Sequence, residues 1–194
     1  MQPKTVGIVA IVAGLSLVIG FVGSSYVDPL WAFIILGVAL TAFWAVPGLH
    51  RVQNGADGSV GRVGTRIVMV AGGLMVTLGL IGLVVEEVVK SSWEPEWVGP
   101  AFAVFGIALL IGFVLFGIGI IKGKALPAMG AWLLLVSWPI GIIIDVALGK
   151  MDEEDGPGGY VGSIGFALGL IWLGWAAMRL SPADGSAQDA PAME

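Results

Sequence analysis

Six apolar stretches dominate this chain of 194 residues, each close to the ~20 residues that a helix needs to cross a bilayer core. They run roughly over Thr5–Val27, Pro29–Leu49, Arg66–Val89, Val98–Ile121, Leu126–Leu148 and Tyr160–Leu180, about two thirds of the sequence. In lipid a stretch of this kind has to be helical, because only a helix satisfies its backbone N–H and C=O groups within the segment. Composition excludes a water-soluble alternative. Hydrophobic residues make up 57% and charged residues 12%, whereas a soluble domain carries about 25% charge. The expected fold is therefore an all-α integral membrane protein with six transmembrane helices. They form three hairpins near 5–49, 66–121 and 126–180, within a single domain covering 1–180. The remainder, 181–194, is rich in Ala, Pro, Ser and Asp and reads as a polar, disordered tail.

Charge orients the hairpins. With the N-terminus inside, Lys4, Arg51, Arg62, Arg66, Lys122, Lys124 and Arg179 all fall on the inner side, and only Lys90 and Lys150 fall outside. By the positive-inside rule, both termini are expected in the cytoplasm of a prokaryotic cell. Acidic residues lean outward: Asp28, Glu86, Glu87, Glu94, Glu96, Asp145 and the run Asp152–Asp155. Lys4, the first apolar run and Gly23-Ser24-Ser25 imitate a cleavable signal peptide. Removing that segment would leave five spans and spoil the charge pattern, so it reads as a retained helix.

The second helix of each hairpin carries one phrase: Gly37-Val38-Ala39-Leu40, Gly106-Ile107-Ala108-Leu109 and Gly165-Phe166-Ala167-Leu168. Seven residues after each glycine stands Trp44, Phe113 or Trp172, and eleven after it stands Gly48, Gly117 or Ala176. Eleven residues is three helical turns plus about 20°, so each pair of small residues lies on one stripe. Such stripes let helix backbones approach closely in lipid, where hydrophobicity does not drive association. Gly37, Gly48, Gly106, Gly117, Gly165 and Ala176 are thus candidate packing positions. Leucine at Gly37, Gly106 or Gly165 is expected to weaken the bundle. The layout, with Trp132-Leu133-Leu134-Leu135-Val136-Ser137-Trp138-Pro139-Ile140-Gly141, resembles small prokaryotic hairpin-repeat families such as the SPW-repeat or HdeD-like proteins. The order here is Ser-Trp-Pro instead of Ser-Pro-Trp, and the resemblance implies a layout but no function.

Candidates for chemistry are few. With no cysteine and one histidine, thiolate sites and paired imidazoles are excluded. No phosphate-binding loop, HExxH or Ser–His pair at a shared depth is present, and the scattered bases do not form a nucleic-acid patch. Asp145, about 18 residues past Pro127, lies ~27 Å along its helix, at the outer interface. Glu86 and Glu87 reach the same level, so the three form a candidate acidic ring that could gather cations. Ser16, Thr41, Thr77 and Ser137 lie near mid-depth, where a hydroxyl usually bonds back to a carbonyl of its own helix. Trp138-Pro139 should kink the fifth span. His50 reads as an interfacial histidine, and Asp152–Asp155 as a solvated turn.

The leading expectation is a non-enzymatic accessory or assembly subunit, free of cofactor and metal. Its helices would pack on one another and on a membrane partner or a second copy. The alternative is a small channel or transporter, or a substrate-binding membrane subunit of one, for a cation or neutral solute.

Overall fold

The computed structural model describes residues 2–24, 26, 30, 32–85, 95–150 and 156–180. Among these there is no strand. The helices are α1 (Pro3–Gly23), α2 (Ala32–Leu40), α3 (Val46–Val52), α4 (Gly58–Val84), α5 (Val98–Gly123), α6 (Ala128–Leu148) and α7 (Pro157–Arg179). A π-helical turn, Thr41–Ala45, joins α2 to α3 as one span, which makes six helices long and apolar enough to cross a membrane. The protein is an all-helical, multi-pass membrane protein. Its outer surface suits lipid: Ile8, Val70, Val104 and Ile143 are each more than half exposed.

Local chemistry explains most boundaries. Pro3 and Pro157 open α1 and α7 in the first turn, where a missing N–H costs nothing. Gly149 ends α6 at φ 65°, a left-handed conformation in which a side chain would be strained. Two boundaries differ from the sequence reading. First, α4 begins at Gly58, eight residues before Arg66, inside the segment read as a link. Gly64 of this segment is a contact position: a Cβ there would lie 2.7 Å from the Gly112 carbonyl of α5. Thr65 closes the same turn by donating to the Gly61 carbonyl at 2.9 Å.

Second, the second span holds a marked irregularity that the sequence reading does not place there. Helix α6 runs unbroken from Ala128 to Leu148 through Pro139. The π turn at Thr41–Ala45 precedes Pro47, whose ring would collide with the carbonyl four residues earlier in a regular helix. Widening the turn, so that Val46 N–H donates to the Thr41 carbonyl, removes that collision. Thr41 then donates its hydroxyl to the Gly37 carbonyl at 2.7 Å.

The six spans form an antiparallel ring. Helix α1 lies along α7 and along α2, α6 lies along α7, and α4 lies along α5. Contacts between α2 and α4, and between α5 and α6, are thinner, so the α4–α5 pair joins the rest along two seams. The tightest approach is glycine on glycine, where Gly158 of α7 lies so close to the Gly141 carbonyl of α6 that no Cβ would fit, and Gly7 and Gly174 repeat the contact between α1 and α7. Packing is uneven along the axis. Val6, Leu49, Phe116, Ile120, Leu134, Leu170 and Leu173 are fully buried, and all lie in the half that contains the α3–α4 turn, here called the His50 end. The other half, the Asp145 end, is hollow.

Candidate functional site

The hollow is a cavity of about 430 Å3, within the ~300–1,000 Å3 typical of small-molecule sites. Every span contributes to its wall: Leu17 and Phe21 of α1, Ile34 and Val38 of α2, Thr41 of the π turn, Met75 of α4, Gly106, Ile107 and Leu110 of α5, Trp138 of α6, and Ser163 and Phe166 of α7. Phe113 and Phe166 close its floor toward the His50 end, edge to face with ring centroids 4.6 Å apart and both nearly buried. No lining side chain is ionisable.

Two hydroxyls face this apolar wall, and they differ. Thr41 is committed to the Gly37 carbonyl. Ser163 is 3% exposed, and its Oγ has no hydrogen-bond partner among the described residues. An unmet hydroxyl in apolar surroundings costs roughly 1–3 kcal/mol, and a guest able to donate or accept a hydrogen bond would recover that cost. The cavity therefore offers large apolar contact plus one polar anchor, the usual chemistry of a site for a neutral amphiphile.

A second polar feature lies at the His50 end. His50 Nδ1 and Asp57 Oδ2 are 2.5 Å apart, with the Asp57 side chain wholly buried. Gln53, itself 2% exposed, donates to the Leu49 carbonyl at 3.3 Å. Asp57 Oδ1 and Gln53 Oε1 are left without partners among the described residues. The turn carrying these groups folds under the last turns of α5, where Gly119 and Gly123 leave room for Asp57 and Ala56. With Nδ1 engaged by the carboxylate, the pair pins α3 to the start of α4.

The candidate packing residues divide. A Cβ at Gly37 would lie 2.7 Å from Leu17 Cδ2, one at Gly48 would lie 2.8 Å from Val6 Cγ1, and one at Gly117 would lie 3.0 Å from Leu135 Cγ. Gly165 faces Ser137, whose Cβ would be 3.0 Å away, and Ala176 is buried. Gly106 departs from the expectation of close packing. A Cβ there would meet nothing within 4 Å, because the residue faces the cavity. Of the candidate acidic ring, Glu86 and Glu87 lie outside the described residues, as do Asp152–Asp155 and the tail 181–194. Asp145 is half-buried and turned onto α7, where its Oδ1 accepts the Gly158 N–H at 2.7 Å. There it satisfies a helix N-terminus. Thr77 and Ser137 bond back to the Gly73 and Leu133 carbonyls of their own helices.

Ser163, Asp57 and Gln53 escape a reading of the sequence alone. Ser163 sits six residues into the last span and resembles any hydroxyl near an interface. Asp57 and Gln53 fall in a glycine-rich stretch that reads as solvated link. Comparison with protein-family models, with curated proteins and with solved structures finds no match to this chain. The short likeness of Trp132–Gly141 to hairpin-repeat families therefore carries no further.

Proposed function

We propose that the protein is a non-enzymatic membrane subunit that binds a small, uncharged, largely apolar molecule inside its six-helix ring, as a carrier or as the substrate-binding part of a larger assembly. The observation that carries this reading is the cavity walled by all six spans, with Ser163 unpartnered inside it. An assembly subunit sealed by glycine packing was the first expectation from the sequence. A hollow at Gly106, where that packing was expected, favours the neutral-solute alternative. A cation has less to hold it there, since the wall has no carboxylate and Asp145 is engaged by α7.

Thermal unfolding in lipid nanodiscs tests this reading. Hexadecanol at a hundredfold excess over its dissociation constant should add about 2.7 kcal/mol of stability, while palmitate, whose charge would be buried, should add little. Gly106→Trp, which places a ring in open space, should unfold like the wild type and lose the response to hexadecanol. If wild type and Gly106→Trp respond alike to the alcohol, the cavity is not where it binds.

The reading includes an orientation with both termini in the cytoplasm and the cavity in the outer half. The seven-to-two distribution of bases supports it. Because the chain lacks cysteine, single-cysteine variants report cleanly. Asn54→Cys should be shielded from an impermeant thiol reagent in intact cells, and Tyr26→Cys, at a residue 83% exposed, should be modified. The reverse pattern would invert the topology.

A further inference from the structure

We propose that the cavity opens sideways, between α5 and α6, and is loaded from within the bilayer, so that its ligand is a membrane-dissolved molecule carrying one hydroxyl or carbonyl group. This inference rests on the binding reading above and adds the route and the ligand class. Ile107 lines the cavity and is nonetheless 61% exposed; Ala103, one turn before it on the same wall, is also exposed. Exposed wall residues beside a thinly packed seam are where a side opening would lie. Helix α5 meets α6 closely at Gly117 and Leu135, toward the His50 end. The thin α5–α6 seam leaves Trp138 as the α6 residue facing the hollow.

Depth decides what enters such a mouth. At 1.5 Å per residue, Ala103 lies ~7 Å and Ile107 ~13 Å along α5 from its first residue. A hydrocarbon core is ~30 Å thick, so Ile107 lies well below the headgroups, and what reaches it is dissolved in the lipid. A smaller hollow of about 170 Å3 adjoins the cavity across Ile34, Val38 and Met75 and continues to Gly79 of α4. The two hollows share these three wall residues and together reach from α7 to α4. This space suits a chain whose polar end meets Ser163 of α7 and whose apolar end runs past Gly106 toward α4.

The test uses the full-length protein in phosphatidylcholine vesicles and a hexadecanol carrying a diazirine, with photolabelled residues mapped by mass spectrometry. Label on Phe166, which is 6% exposed, reports a molecule inside the ring and not one on its lipid face. The wild type should acquire this label. Ile107→Trp and Ala103→Phe, both at exposed positions that tolerate bulk, should acquire it several times more slowly. Ser163→Ala should reduce it about fivefold at limiting probe, the worth of one hydrogen bond. Equal labelling rates in wild type and both mouth variants would overturn sideways entry while leaving the binding reading intact. Absence of label on Phe166 in the wild type would overturn both.

Discussion

Gly37→Leu should destabilise the protein by about 3 kcal/mol, whereas Gly106→Leu should leave its stability within ~0.5 kcal/mol of the wild type. The two glycines open the same kind of four-residue phrase, Gly-apolar-Ala-Leu, yet their surroundings differ. At Gly37 the first added carbon would already stand 3.0 Å from the Leu17 backbone nitrogen of α1 and 2.7 Å from a Leu17 methyl. Backbone cannot yield as a flexible side chain can, so α1 and α2 must separate. At Gly106 nothing lies within 4 Å, and the new side chain extends into the hollow. Reversible unfolding in mixed micelles, with Leu36→Ile as an exposed control, reads the difference. Equal destabilisation by both leucines would mean that the hollow closes in the membrane.

His50→Ala should cost about 1–3 kcal/mol, the range for leaving a buried polar group without its hydrogen-bond partner. The Asp57 side chain is fully buried and its Oδ1 has no partner among the described residues, so the imidazole is the one described group hydrogen-bonded to it. The double variant His50→Ala/Asp57→Ala should recover much of that loss, because most of the cost comes from leaving the acid buried alone. The same unfolding measurement separates the cases. If His50→Ala costs under ~1 kcal/mol, as for a surface pair, then water reaches Asp57 and the pair does not pin α3 to α4.

What the sequence reveals and conceals here follows from which forces act locally. The six spans are legible because length and hydropathy decide them within each segment, without reference to a neighbour. The start of α4 is not, because Gly61 and Gly64 look like loop residues until α5 is laid against them. The π turn had a visible cause in Pro47, but Trp138-Pro139 has the same local chemistry and α6 passes through it. The cavity is the least legible feature. It is defined by what six helices fail to fill, and Gly37 and Gly106 are indistinguishable in sequence although one is clamped and the other open. Ser163 and Asp57 become notable only through burial, which depends on segments far away in the chain.

The central claim is that the ring holds a neutral amphiphile, and its most direct test is the molecule itself. The wild type and Gly106→Trp would be purified in parallel from the same native membrane in mild detergent. Their bound small molecules would then be extracted and compared by mass spectrometry. The account predicts one neutral species, carrying a hydroxyl or carbonyl group, that accompanies the wild type in near-stoichiometric amount and is missing from Gly106→Trp. Identical extracts from the two proteins, containing only bulk lipid, would contradict it.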